Sequence, residues 1–425
     1  PPPPPPPPLF HPQPGIRDLS LSLVGSEMCI RDRLRTGRSL YSGKMSSGSA
    51  PIDSFGPTDT AVRAVGLEKR FGDVVAVDDL ELEIADGEIM MLVGPSGCGK
   101  TTVLRLIAGL DVPDVGSIRY DDRDMDGVTP ADRNIAMVFE GYALFPHMAV
   151  RDNLTFALKL RHTPPDEVDR RLAEVAEAME LDHLLQRRPP GLATGEAQHV
   201  AVGRAVIRES PSVLLLDDAL SHLDAQQRLE ARTEVARLHE ELGSTIVSVT
   251  HDQAEALAVG TRVAVMDQGR LRQVGTPHEV YERPADTFVA DFIGNPPMNL
   301  IEMEVRREDG RTVLRRGAWE VALPSLPAGV RAAVTVGFRP EHIHLGAPAS
   351  ATELGFRGRC ELVEYLGPQQ LVHMRVGEDE LVLLDDPADD VDVGDLIDCR
   401  VPMDRLHLFD TASGRTLTAS METAV

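Results

Sequence analysis

Between Gly94 and Thr102 the sequence reads GPSGCGKTT, the G-x-x-x-x-G-K-[ST] spacing that turns backbone N–H groups inward around a phosphate. The run directly ahead, EIMMLV (Glu88 to Val93), is apolar and strand-like, and VLRLIAGL behind it has helical periodicity. That order of strand, loop and helix lets a helix N-terminus add its partial positive charge to the loop. In such a loop Gly94, Pro95, Ser96, Gly97, Cys98 and Gly99 form the cradle, Lys100 reaches the β- and γ-phosphates, and Thr101, followed by Thr102, ligates Mg²⁺. A second apolar strand, Ser212 to Leu216, ends in Asp217 and Asp218. Asp217 is placed to hold Mg²⁺ through water and Asp218 to polarise an attacking water. Alone, two aspartates after a strand commonly cap a helix; their pairing with the glycine loop favours catalysis. A third strand, Thr245 to Val249, delivers Thr250-His251-Asp252, and the His251 imidazole is placed to hydrogen-bond a γ-phosphate.

The elements that must position these residues belong to a chain of 425 residues, long enough for two or three domains. Its formal charge of −24 argues against a general nucleic-acid or anionic-membrane binder, which works by displacing counterions with Lys and Arg. Cys29, Cys98, Cys360 and Cys399 form no CxxC pair, so a reducing compartment fits better than a disulfide framework or a zinc site. No apolar run approaches the roughly 18 residues of a membrane span. Only four lysines occur, Lys44, Lys69, Lys100 and Lys159, so nearly all the positive charge is Arg. Residues 1–44 open with eight prolines and are net basic in an otherwise acidic chain. The run GIRDLSLSLVGSEMCIRDR resembles translated adapter sequence, which places the expected native start at Met45; a disordered native tail would have the same composition. Met45 to about Thr60 reads as a flexible lead-in.

With the three strand ends in order, the chain resembles the ATP-binding subunit of ABC transporters, in particular importers of the maltose and glycerol-phosphate type. The resemblance is carried by the motifs above and by several further segments. Phe71 in EKRFGDVVAVDD matches an aromatic that stacks on adenine. Asn134 to Leu154 matches the segment leading into a helical subdomain, with Glu140 where the family has Gln. Gly191 to Ser210 occupies the place of the LSGGQ signature, and SHLDA (Ser221 to Ala225) puts Asp224 at the link between two subunits' sites. Gly275 to Leu300 looks like the cassette's end. The implied architecture is α/β: a P-loop cassette over about 61–295 with a helical insertion over about 140–210, then a small OB-like β-barrel over 296–425 for dimer contact and regulation. A leader fills 1–60.

Two local patterns agree with this reading. Val168, Leu172, Val175 and Met179 form one apolar stripe on an otherwise charged helix, which is packing. Tyr142 and Phe145 in GYALFPH are expected to be exposed and to line a groove for a helix of a membrane subunit. Beyond Leu300, short strands are expected at Arg331 to Phe338, Arg359 to Tyr365, Gln370 to Val376, Glu380 to Leu384 and Leu396 to Val401.

The departures from the family pattern gather on the γ-phosphate side. In the signature, Ala193 stands for Ser, Thr194 for the first Gly and Glu196 for Gln, with Gly195 kept. Loss of the hydroxyl donor removes a charge-assisted hydrogen bond of about 1.5–3 kcal/mol. Asp218 stands for the water-activating Glu, one methylene shorter; Ala219 stands for Pro and His222 for Asn. The resemblance therefore implies a subunit that binds ATP and Mg²⁺ (Thr101, Glu140 and Asp217) and powers import of a carbohydrate or glycerol-3-phosphate-like solute, with weakened hydrolysis through Asp218, His251 and Glu140. It further implies two transmembrane permease subunits, a second ABC ATPase subunit, an external solute-binding protein, no nucleic acid, and a peripheral place on the cytoplasmic face of the membrane. A homodimer and a pairing with an intact ATPase subunit both stay open. So do a non-hydrolysing ATP-binding regulator and an ATPase of a polyamine, iron or sulfate importer.

Overall fold

The computed structural model describes residues 60–417 except 209–210, most of 220–242, 309–310, 318, 324–325, 327–331, 351 and 390. The leader, the lead-in up to residue 59, and Ser221, His222 and Asp224 lie outside the described residues.

Among the described residues, ten strands lie between Thr60 and Gly275. They are β1 (Thr60–Phe71), β2 (Val74–Ala85), β3 (Ile89–Val93), β4 (Val115–Tyr120), β5 (Arg123–Asp124), β6 (Ile135–Val138), β7 (Val213–Asp217), β8 (Thr245–Thr250), β9 (Arg262–Asp267) and β10 (Arg270–Gly275). An antiparallel sheet has the order β2-β1-β4-β5, and a second sheet has the order β10-β9-β3-β8-β7-β6. In the second sheet β9, β3, β8, β7 and β6 all run parallel. Every residue of β3, β7 and β8 is buried, as expected where both faces of a parallel sheet are covered. Strand alternation sorts the side chains: Ile89, Met91, Val93, Leu214 and Leu216 face one core, and Met90, Leu92, Val213 and Leu215 face the other.

The helices are α1 (Lys100–Ala108), α2 (Val150–Leu160), α3 (Pro165–Ala178), α4 (Thr194–Val206), α5 (Gln253–Val259), α6 (Pro277–Glu282) and α7 (Thr287–Phe292). The stripe on α3 packs as its spacing requires, with Val168, Leu172 and Met179 buried and Val175 against them in the same core. The loop ahead of α2 is held by the fully buried Asn153, whose amide oxygen accepts from Phe145 N at 2.8 Å while its nitrogen donates to Phe145 O at 3.1 Å. This corrects the expectation for GYALFPH. Tyr142 is buried, because the clamped loop turns its ring into the core, and Phe145 is half-buried against Phe156 at 4.8 Å.

Beyond α7 the chain forms β11 (Asn299–Glu308), β12 (Arg311–Arg316), β13 (Trp319–Leu323), β14 (Ala333–Phe338), β15 (His344–Leu345), β16 (Glu353–Tyr365), β17 (Gln370–Val376), β18 (Asp379–Asp385), β19 (Leu396–Pro402) and β20 (His407–Asp410). Two five-stranded sheets, in the orders β13-β12-β11-β14-β20 and β15-β19-β16-β17-β18, are antiparallel throughout and share one core. The expected strands are present, but that expected from Arg331 begins at Ala333, with Arg331 outside the described residues, and that at Arg359 to Tyr365 is longer at its N-terminal end, where it pairs with β19.

A buried guanidinium ties this region to the end of the cassette. Arg339, 1% exposed, donates to Ile293 O at 2.7 Å and Tyr281 O at 2.5 Å, and lies 3.7 Å from the centre of the Tyr281 ring. The Tyr281 hydroxyl donates to Glu341, two residues further on. Replacing Arg339 by Met strands both carbonyls, and the expected loss of about 2–4 kcal/mol is read as a lowered urea midpoint.

Candidate functional site: a phosphate loop facing three strand ends

The site follows from sheet register. Val93 at the end of β3 pairs with Thr250, and Asp217 at the end of β7 pairs with Val249, so three strands deliver their C-terminal ends side by side. Ligands of open α/β sheets bind in the crevice outside such ends. The loop from Gly94 to Gly99 leaves β3 through positions that exclude a side chain. A Cβ on Gly94 would come within 2.2 Å of Met266 O, and one on Gly99, at φ +105°, within 2.2 Å of Ala76 O. Gly99 caps α1 without any side-chain acceptor, which leaves the first N–H groups of the helix for an anion. Lys100 Nζ donates to Gly94 O at 2.8 Å and Pro95 O at 2.9 Å, which holds the ammonium against the loop. Cys98 is buried beside Lys100, and burial pushes its thiol up, so it packs as a neutral group.

Thr101 Oγ1 donates to Asp217 Oδ1 at 3.0 Å, joining the loop to β7. Burial is the main reason the Asp217 carboxyl is held above its ordinary range; Thr101 opposes this, while the negative charges of Glu140 and Asp218 add to it. Glu140 thus lies within electrostatic reach of Asp217 from the exposed residues after β6. A hydroxyl and two carboxylates are hard oxygen donors suited to Mg²⁺. The glycine cradle and uncapped helix suit a triphosphate. Asp218 follows β7 with φ +49°, and its N–H continues the ladder to Val249 O at 3.0 Å. Its Oδ2 lies 3.1 Å from His251 Nδ1. Phe71 stands half exposed at the β1–β2 hairpin, with the Lys69 ammonium 5.4 Å from its ring centre and bridged to Asp114 at 3.1 Å.

The signature residues sit elsewhere. Ala193 is the N-cap of α4 and offers no side-chain acceptor; instead Glu196 Oε2 accepts from Ala193 N at 2.8 Å, with Arg187 at 3.6 Å from Oε1. Ala193 and Thr194 are exposed, and a Cβ on Gly195 would meet open space. Among the described residues no hydrogen bond or ion pair joins 193–196 to 94–102.

One residue of the site was not found from the sequence. Glu255, 3% exposed, accepts from Thr250 Oγ1 at 2.9 Å, and burial pushes its carboxyl up to about 7, with Asp252 and Asp218 adding to the rise and Arg232 opposing it. The D-x-x-E spacing from Asp252 reads as an ordinary helix-capping signature and hides the burial.

The fold and site define an ABC-type P-loop ATPase. Family models described as ABC transporter, MalK OB fold domain and TOBE domain match residues 77–221, 294–343 and 336–409. The chain is 45% identical over 357 residues to the sn-glycerol-3-phosphate import ATP-binding protein UgpC 2 of Rhizobium johnstonii, covering 84% of this chain and 98% of that one. It is also 45% identical over 372 residues to the trehalose/maltose import ATP-binding protein MalK of Thermococcus litoralis, covering 84% and 99%. Among solved structures, cbiO1 of Clostridium perfringens, described as part of an ABC transporter complex, shares 27% identity, covers 52% of this chain and 90% of its own, and has a TM-score of 0.49. The chain belongs to the UgpC/MalK-type family of ABC import ATP-binding subunits, in which ATP hydrolysis is coupled to transport.

Two outcomes follow from the site. Ala193→Ser supplies the missing cap acceptor on α4 and is expected to stabilise the chain by about 0.5–2 kcal/mol, measured by chemical denaturation. For Glu255 the folded carboxyl titrates near 7 against an ordinary value of 4.5, so its contribution to stability is complete below 4.5 and is lost as pH rises through 7. Glu255→Gln should remove that loss, gaining roughly 2–4 kcal/mol on wild type between about pH 5 and about pH 8 in paired denaturation curves.

Proposed function

We propose that this subunit binds ATP on the Gly94–Thr101 loop and powers uptake of a carbohydrate or glycerol-3-phosphate-like solute through a membrane permease. The carrying observation is the convergence of Lys100, Asp217, Asp218 and His251 at three adjacent strand ends. Phe71 stacks on the adenine, the glycine loop and Lys100 hold the β- and γ-phosphates, and His251 meets the γ-phosphate. Thr101, Asp217 and Glu140 are the residues that would hold Mg²⁺, which supplies charge neutralisation between phosphates. Asp218 takes up the proton of the attacking water.

The solute class is supported by the names of the relatives. On this reading residues 61–295 form the cassette and 296–425 a regulatory and dimer-contact region, with Asp224 at the junction of two subunits' sites. Two permease subunits hold the protein at the cytoplasmic face of the membrane, and a solute-binding protein joins through the complex. No described helix is long and apolar enough to cross a membrane itself. A groove of about 360 Å³ beside the loop after β6, lined by Met137, Phe139, Phe145, Phe156, Arg204 and Arg208, suits a permease helix. The second ATPase subunit is a copy of this chain or an intact relative. Ala193, Thr194 and Glu196 then face the partner's nucleotide without a side-chain hydroxyl at the cap, and the partner's ATP is held weakly.

Asp218 is one methylene short, and a displacement of about 1 Å at a reacting group costs on the order of a hundredfold in rate. Asp218→Glu is therefore expected to raise ATP turnover by at least about tenfold. A wild-type rate already typical of transporters and unchanged by the substitution overturns the weakened-hydrolysis reading. ATP binding without turnover in either form favours a regulatory subunit.

A further inference from the structure

We propose that Glu255 is a positioning residue for the water-activating step: bonded to both flanks of the Thr250–Asp252 turn, it fixes His251 against Asp218. The proposal rests on the reading of Asp218 as water activator. His251 is the middle residue of a turn whose two flanks are both bonded to Glu255. On one side the buried Thr250 hydroxyl donates to the Glu255 carboxylate at 2.9 Å, and on the other the Glu255 N–H donates to Asp252 Oδ1 at 3.0 Å. The turn closes through Asp252 N, which donates to Thr250 Oγ1 at 3.0 Å. Arg232 and Arg228 brace the outer Asp252 oxygen at 3.3 and 3.6 Å. The chain segment carrying His251 is thereby held on all sides, with the imidazole 3.1 Å from Asp218.

The charged groups facing Glu255 are Asp252 at the cap of its own helix, Arg232 from residues before β8, and Asp218 from the end of β7. Ionised Glu255 accepts from the Thr250 hydroxyl and leaves that oxygen free to accept Asp252 N–H. Protonated Glu255 accepts from the same hydroxyl only as a neutral group, a weaker hydrogen bond than the charge-assisted one of the carboxylate. Burial keeps Glu255 protonated until about pH 7, so the more firmly held turn forms across the neutral range.

The test is ATP turnover of the full chain from about pH 5.5 to about pH 9 for wild type, Glu255→Gln, Glu255→Asp and Asp218→Asn, beside binding of a fluorescent ATP analogue. Wild-type turnover should rise through about pH 7. Glu255→Gln should lower kcat by about tenfold, abolish that rise and leave analogue affinity within about twofold, while Glu255→Asp restores the rise. A Glu255→Gln enzyme with the wild-type rate and pH profile overturns the proposal, as does loss of analogue binding in both Glu255 variants, which would mark a purely structural role. Wild-type turnover in Asp218→Asn, or none in the wild type itself, overturns the reading of Asp218 instead and leaves a different signature in the same data.

Discussion

The pairing of β3, β8 and β7 is the constraint on which the rest depends. Parallel neighbours in register must end together, so Val93, Thr250 and Asp217 reach one edge of the sheet whatever side chains follow. The glycine loop, His251 and the paired aspartates are then separated by strand spacing alone. The Thr101–Asp217 hydrogen bond is local evidence of that alignment. Full burial of all three strands makes the register costly to shift, since a slip by one residue would exchange the two cores that Met90 and Met91 separate.

Most of this arrangement was legible in the sequence because each element carries its own period. EIMMLV, SVLLL and the run before Thr250 read as strands, and the acidic or glycine residues after them mark where burial ends. The C-terminal strands were equally plain, because turn residues punctuate them. What failed to show was orientation and depth. Tyr142 reads as a surface aromatic in GYALFPH, and its inward turn goes with a loop held by Asn153, eight residues beyond Phe145, and by Arg204, which donates to Tyr142 O. Glu255 lies at a spacing that normally signals an exposed cap, and its burial follows from the packing of α5 over β3 and β8, which no local pattern encodes. Arg339 is another case: a charged side chain fully buried by contacts with residues about fifty positions earlier.

Seen together, the departures on the γ-phosphate side fall into two physical kinds. Those in the signature act through the end of α4, where Glu196 satisfies the Ala193 N–H and places a carboxylate on the positive end of the helix. Asp218 instead alters the reach of a single side chain while its backbone stays in the sheet ladder. Under the proposed function, the first kind changes what a neighbouring subunit is offered, and the second changes what the chain does with its own nucleotide. The loop from Gly94 to Thr101 keeps its own contacts, Lys100 to Gly94 O and Pro95 O and Thr101 to Asp217.

The joint at Arg339 has a consequence for how this protein can diverge. Its acceptors on the cassette side are the carbonyls of Ile293 and Tyr281, which are main-chain atoms and persist through any side-chain replacement that keeps α6 and α7 in place. On the earlier side of the junction the Tyr281 ring and hydroxyl and the Glu282 carboxylate add side-chain contacts, to Arg339, Glu341 and Arg405. Drift can therefore rework the rest of α6 and α7 while those two residues and the main-chain carbonyls keep the seat for the same arginine.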